Sequence, residues 1–434
     1  MAAASGSCLS REVSLVYAID FGTSNSLLAA GRDGQVLAPI PIDPAAKDPS
    51  VLRSLIYFEN DQKRTIGAQA LLDFRSNDLQ GRLLRSLKKF LPSKSFTGTT
   101  IITRTMSLED LIASILRELR ERANLHFGQD VRSAVFGRPA RFSEEDDLDQ
   151  FAQDRLEKAA RLAGFEQIEF MPEPLAAAFE LRQRIQTSQL ALVADFGGGT
   201  SDFTVIQLSK KDFSPSDVLA IGGVSVAGDA VDGAVMRNRF LPYFGSEVEY
   251  RVPFGSNVLK MPIHLMDKLS SPADVAILRK PDVREFFKNV QQWSVGKGDR
   301  EKLDRLFQMV DENLGFEFFE AIEKTKRELS DQKQSQFAFD VTGIEIQEKI
   351  TRSQFDAHIA VPTEKILASL DDTLKRAQVR PEQIDTVFST GGTAKIPLLK
   401  SALIERFGEA KVQEQKHFHS IVEGLAVRAA ELSR

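Results

Sequence analysis

One cysteine, one tryptophan and five histidines in 434 residues leave little room for several kinds of chemistry. The lone thiol, Cys8, excludes an internal disulfide, a dithiol redox pair and a cysteine-built zinc cage. Its place in the small-residue leader "MAAASGSCLSREV" marks it as a loose thiol. No H-E-x-x-H occurs, and "HFH", with His417 and His419 as an alternating pair, has no third ligand nearby, so it reads as a surface turn. No run reaches the roughly 18 apolar residues that a membrane span needs, and the leader lacks the charged and apolar regions of a signal peptide. A net charge of −5 gives no basic surface for nucleic acid or an anionic membrane. The expectation is a cytoplasmic monomer that engages neither.

What is present is an ordinary globular composition, 42% hydrophobic and 27% charged, long enough for two or more domains. Short apolar runs, "SLVYAIDFG", "RSAVFGRPA", "LALVADFGGG" and "IDTVFSTGG", each end in turn residues, as strands entering loops do. Between them lie helix-period segments. In "SLEDLIASILRELRERA", Ser107 and Asp110 stand at capping-box spacing, and Leu108, Leu111, Ile112, Ile115 and Leu119 share one face. "EDDLDQFAQDRLEKAARLAG" repeats the pattern through Leu148, Phe151, Leu156 and Ala159, with Gly164 placed as a C-cap. Alternation of strands and helices predicts an α/β architecture. "AIDFGTSNS" and "VADFGGGTSDF" echo each other, which predicts two duplicated lobes, each opening with a hairpin tipped by glycine and hydroxyl residues. The stretch 243–318, mixed in Pro, Gly and aromatics, reads as an elaborated or inserted subdomain.

Gly197, Gly198 and Gly199 lie between Asp195 and Asp202. Such a loop can adopt positive φ and aim successive backbone N–H groups at one anion. Carboxylates beside it cannot bind phosphate, but they can hold Mg²⁺ through its waters. A lone loop of this kind reads as a hairpin turn; a matching first loop and a third element, "FSTGGTAKIP", favour nucleotide and metal instead. No G-x-x-x-x-G-K-[ST] occurs and no G-x-G-x-x-G follows a strand, which excludes the P-loop and the dinucleotide fingerprint.

Taken together, "IDFGTSNS", "DFGGGTSDF" and "STGGTAKIPLL" resemble the two phosphate motifs and the adenosine motif of the actin-like ATPase superfamily. "RTIGAQA", "SLKKFL", "MPEPLAAAFE", "EKTKRELS" and "ITRSQFD" narrow the resemblance to the ATPase domain of the heat-shock 70-kDa (DnaK-type) chaperones, over about residues 14 to 430. The resemblance implies two RNase-H-like α/β lobes with an ATP cleft between them. Lobe I would cover 13–189, with a small subdomain at about 49–106, and lobe II 190–414, with an enlarged subdomain at about 232–351. Residues 415–434 would return to lobe I as a helix.

Carried over by position, Gly22, Thr23, Ser24 and Asn25 belong to the first phosphate hairpin, and Gly197 to Gly199 with Thr200 to the second. Asp20, Asp195 and Asp202 would hold Mg²⁺ through water. Lys88, Glu173, Asp195 and Thr200 would be catalytic. Gly391, Gly392, Thr393 and Lys395 would face adenosine from one side, and Glu323, Lys326, Arg327 and Ser330 from the other, with Gly228 also binding the nucleotide. Glu323, Lys326, Arg327 and Ser330 follow i, i+3, i+4, i+7 spacing and so share a helical face. The implied function is ATP binding and slow Mg-dependent hydrolysis by a chaperone-like protein, with unfolded polypeptide or a co-chaperone-like protein as partner. An actin-like filament former is the alternative, and a sugar or acetate kinase a third reading. The chain is expected to lack the family's peptide-binding domain, and Gln153 and Phe418 stand where the family carries an arginine and an acidic residue.

Overall fold

The computed structural model describes residues 15–77, 80–143, 145–182, 185, 187–209, 215–272, 274–341, 343–414 and 419–434. Cys8, His417 and Phe418 lie outside the described residues.

Two sheets are built to one plan. In the first, β1 (Leu15–Phe21), β2 (Asn25–Arg32) and β3 (Gln35–Leu37) form an antiparallel meander, while β4 (Ser133–Arg138) and β5 (Gln167–Pro172) add in parallel beyond β1, giving the order β5-β4-β1-β2-β3. In the second, β6 (Gln189–Phe196), β7 (Ser201–Leu208) and β8 (Val218–Val224) form the meander. There β9 (Thr386–Thr390) and β10 (Val412–Glu414) add in parallel, giving β8-β7-β6-β9-β10. The echo seen in the sequence is therefore a duplicated sheet. Asp20 and Asp195 occupy the same place in it, next to last in the first strand of each meander.

Both first strands are buried on both faces, which is why they read as continuous apolar runs rather than alternating ones. Leu15, Tyr17, Ile19 and Phe21 turn toward α1 (Leu108–Phe127) and α2 (Asp146–Leu162). Val16 and Ala18 turn the other way and share a core with Ala191 and Val193 of the second sheet. Two helices complete this shared core, α3 (Glu173–Arg182) and the C-terminal α6 (Ser420–Leu432), through Ala176, Ala177, Val422 and Leu425. Small residues allow the crossing: a Cβ added at Gly424 would lie 1.7 Å from the Ala176 carbonyl oxygen.

Local signals hold where they are strong. Ser107 caps α1 by accepting the Asp110 amide, and Leu108, Leu111, Ile112, Ile115 and Leu119 are all buried. At the end of α2 the cap is Ala163, and Gly164 follows it at φ 96°, one place beyond the expected position. Leu156 and Ala159 of α2 are buried, whereas Leu148 and Phe151 are only half-buried.

The stretch 243–318 has no core of its own. Phe244, Tyr250, Met266, Leu278, Val290 and Leu303 join the cluster that holds Leu192 and Phe196 of β6 and the hairpin Gln334–Val341 with Ile344–Thr351. Its helices Pro281–Trp293 and Asp299–Asp311 lead into α5 (Gly315–Asp331), whose Phe318 stacks edge-on against Phe240, Phe244 and Phe339. The extra chain thickens lobe II rather than hanging from it.

Candidate functional site

The two glycine hairpins meet tip to tip. A Cβ added at Gly198 would lie 2.4 Å from Ser24 Oγ, and one added at Gly199 would lie 2.5 Å from Thr23 Oγ1. A Cβ at Gly22 would lie 2.2 Å from the Asn25 carbonyl oxygen. The glycines are therefore required by close approach. The positive φ expected of the triple glycine is not what they use: among the described glycines with positive φ, none falls at 197–199. Their loop closes by a bond from the Gly197 amide to the Thr200 carbonyl, 2.9 Å.

A third glycine element locks onto the second hairpin. Gly391, at φ 90°, brings its backbone so near that a Cβ would lie 2.2 Å from the Phe196 carbonyl oxygen and 3.0 Å from Asp195 Oδ1. Thr393 donates to the Gly197 carbonyl at 2.7 Å, and the Gly228 amide donates to the same carbonyl at 3.2 Å. Gly392 and Lys395, from the same turn, are exposed.

Below the tips sits a buried group of acids. Lys88 Nζ lies 2.6 Å from Glu173 Oε1, and each side chain is 6% exposed. Glu173 is the first residue of α3, where the helix N-terminus favours an anion, and Gly137 of β4 leaves it room, since a Cβ there would stand 3.2 Å from Glu173 Cγ. Burial, and then the Glu173 charge, push Asp20 up to about 7. Burial and Glu173 also raise Asp202 to about 7, against the pull of Thr200 and of the Ala140 amide, which donates to Asp202 Oδ1 at 2.7 Å. Asp195 is raised well above the usual carboxylate range by burial, then by Glu173 and Asp202. Burial works against the charge of Lys88, but Glu173 and Asp20 outweigh it and hold its pKa above the ordinary lysine value.

Four buried carboxylates against Lys88 make a site that favours an added cation. Asp202 Oδ2 is buried with no hydrogen-bond partner, an acceptor left open for one. Among the described residues no three acids, histidines or cysteines stand close enough to hold a metal directly. A hydrated Mg²⁺, held through its waters by Asp20, Asp195 and Asp202, fits this donor set.

A stability prediction follows from Asp202. With an ordinary value of 3.8 and a folded value of about 7, its neutral form favours folding, fully below about pH 4 and progressively less as pH rises through 7. Thermal unfolding of the metal-free protein is expected to weaken across that window, and Asp202→Asn to flatten the fall by a few kcal/mol, roughly 1.4 per pH unit. Equal slopes in the two proteins would contradict the assignment.

The helical face predicted for adenosine exists on α5. Lys326 is tied to Asp232 Oδ2 at 2.8 Å, Arg327 reaches Glu323 at 3.6 Å while two-thirds exposed, and Ser330 donates to the Lys326 carbonyl within its own helix. Sequence reasoning missed Asp232 and Asp229, both on α4 (Gly228–Val235). The Asp229 amide donates to the Gly198 carbonyl at 2.7 Å, while its carboxylate accepts from Ser86 at 3.2 Å and faces Arg85 at 3.7 Å. Their signal was available as "GDAVDG", two acids one helical turn apart directly after Gly228. Across the lobes, Arg53 forms two hydrogen bonds to Glu320 of α5, at 2.7 and 3.3 Å.

These features agree with what the chain is similar to. A family model described as "Hsp70 protein" matches residues 16–241 and 308–434, passing over 242–307, nearly all of which lies in the elaborated stretch of lobe II. The chain is 25% identical to a "Chaperone protein HscA homolog" of Paracidovorax citrulli over 440 residues, 96% of this chain and 58% of that relative. It is 24% identical to a "Chaperone protein DnaK" of Thermus thermophilus over 440 residues, 95% of this chain and 60% of the relative. A "Chaperone protein HscA homolog" of Pseudomonas paraeruginosa reaches 33% over 239 residues, 51% of this chain and 36% of the relative. The chain thus spans about 58 to 60% of the length of the first two curated relatives. The filament-forming alternative is not favoured by these matches. Matched over most of its length, with duplicated lobes that carry both glycine hairpins, the chain belongs to the Hsp70 family and has its actin-like ATPase fold.

Proposed function

We propose that this chain binds ATP between the two hairpins and hydrolyses it slowly, as the nucleotide-driven part of a chaperone. The observation that carries the reading is the tip-to-tip approach of Thr23 and Ser24 to Gly199 and Gly198, above a buried acid cluster with an open acceptor on Asp202. Members of the family are ATPases, and relatives named as chaperones support the coarser reading.

Phosphoryl transfer asks a protein mainly for position and charge. Backbone amides of 22–25 and 198–200 would cradle the phosphates, with the Thr23, Ser24 and Thr200 hydroxyls at hand. Mg²⁺, when bound through water to Asp20, Asp195 and Asp202, would neutralise phosphate oxygens. Lys88 would neutralise the γ-phosphate from the other side, and Glu173 would hold Lys88 in place. A water oriented by Asp195, Glu173 and Thr200 would attack the γ-phosphorus as the bond to the β-phosphate oxygen breaks. Its proton would pass to Asp195, whose pKa is raised well above the usual carboxylate range, as suits a base. Adenosine would lie between Gly391, Gly392, Thr393 and Lys395 and the α5 face of Glu323, Lys326, Arg327 and Ser330, and Gly228 would bind the nucleotide beside the second hairpin.

Closing the lobes on ATP and reopening them after hydrolysis would change the surface offered to a partner, unfolded polypeptide or a co-chaperone-like protein, with the thickened lobe II as the contact. The working division is lobe I at 13–189, lobe II at 190–414 and the returning helix at 415–434. Among the described residues no helix is long and apolar enough to cross a membrane. The protein is proposed to be a cytoplasmic monomer. The test is ATP turnover by the purified chain with and without an unfolded polypeptide. Stimulated turnover supports the full reading, unstimulated turnover supports the ATPase and removes the client, and no turnover removes both.

A further inference from the structure

Away from the hairpins, a cavity of about 110 Å³ lies between the small subdomain of lobe I and the elaborated stretch of lobe II. None of its lining residues belongs to the proposed nucleotide site. Its apolar wall is aromatic: Phe90 and Phe96 stack at 4.3 Å on one side, with Phe74 and Phe316 completing it. Its polar wall is cationic. Arg82 and Arg85 enter from lobe I and Arg279 from lobe II, and among the described residues no acidic side chain lines the cavity.

Two of these guanidiniums are incompletely used: Arg82 Nε and Arg85 Nη1 are buried without a hydrogen-bond partner. Arg82 has Thr99 at 3.4 Å and Arg85 faces Asp229 at 3.7 Å, while Arg279 is held by the Val310 and Asp311 carbonyls and by Asn313. Burial, and then repulsion from Arg279, lower the pKa of Arg82. Like charges held together beside open donors in a part-apolar cavity are expensive without a counter-anion, and guanidinium forks match carboxylate geometry.

We infer that this cavity binds a small organic carboxylate, its charge on Arg82 and Arg279 and its apolar body against the phenylalanines, so that the ligand bridges the lobes. Three of the fifteen lining residues, Pro272, Val275 and Arg279, fall within 242–307, which the family match passes over.

The test is calorimetric titration of the purified chain with benzoate, with inorganic phosphate as control, in the absence and presence of saturating Mg-ATP. Benzoate is expected to bind in both conditions and more tightly than phosphate. Arg82→Met and Arg279→Met are each expected to weaken it about tenfold or more, with the ATP response and the melting temperature retained. Val275→Trp, which fills the cavity and leaves the arginines, is expected to abolish binding. Undetectable benzoate binding, binding displaced by ATP, phosphate preferred over benzoate, or unchanged affinity in either arginine variant of retained fold would each overturn the inference. A chain that takes benzoate but not ATP would sink the nucleotide reading and leave this one standing.

Discussion

Replacing Lys88 with methionine is expected to lower the rate of ATP hydrolysis by about 100-fold or more, the scale seen when a donor aimed at transition-state charge is removed. Lys88 is held 2.6 Å from Glu173 in a site where both are buried, and Asp20 and Asp202 also contribute to its charge preference. Nothing flexible or hydrated would take its place. The same change leaves Glu173 buried and unpaired, which costs about 3–5 kcal/mol. The double variant Lys88→Met with Glu173→Gln removes that buried charge and is expected to recover much of the melting temperature but none of the rate. Single-turnover kinetics separate these effects. Wild-type turnover by a folded Lys88→Met protein would remove Lys88 from the mechanism.

Asp195→Asn is the second large effect. Asp195 is next to last in β6 beside the glycine loop, is almost fully buried, and has its pKa raised by burial, Glu173 and Asp202. It is thus suited to hold a proton from the attacking water, and losing such a base costs roughly 10² to 10⁴ in rate. Asparagine preserves the shape, so ATP affinity is expected to change little while hydrolysis is lost. The sign in stability is opposite to that of Lys88→Met: removing one acid from a crowded cluster is expected to raise the melting temperature at pH 8. An Asp195→Asn protein that hydrolyses ATP as fast as wild type would sink the role given to this residue.

How much of this was legible depends on how local each signal is. The glycine hairpins and the α1 cap are short-range patterns, and in the structure Gly198 and Gly199 pack against Ser24 and Thr23 while Ser107 caps α1. The duplication was legible because the echo sits on the same strand position in both sheets. The Lys88–Glu173 pair, 85 residues apart, carries no local signal and came only through family resemblance. Asp229 and Asp232 were overlooked because two acids in the first turns of a helix look like ordinary solvated caps. The positive φ expected at Gly197 to Gly199 failed for a different reason: composition says that a glycine is needed, not whether a bend or a neighbour needs it. Nor could the fusion of 243–318 with the lobe II core be read, since its apolar residues are scattered among short elements and meet only in three dimensions.

In this proposal two facing glycine hairpins and a water-bridged metal make one nucleotide site. Equilibrium titration of ATP into the purified chain, with Mg²⁺ and then with chelator, is the decisive experiment. One-to-one saturable binding is expected, weakening by about tenfold or more without Mg²⁺, because the buried carboxylates would then face the phosphates uncompensated. Absence of saturable ATP binding, or binding indifferent to Mg²⁺, would contradict it.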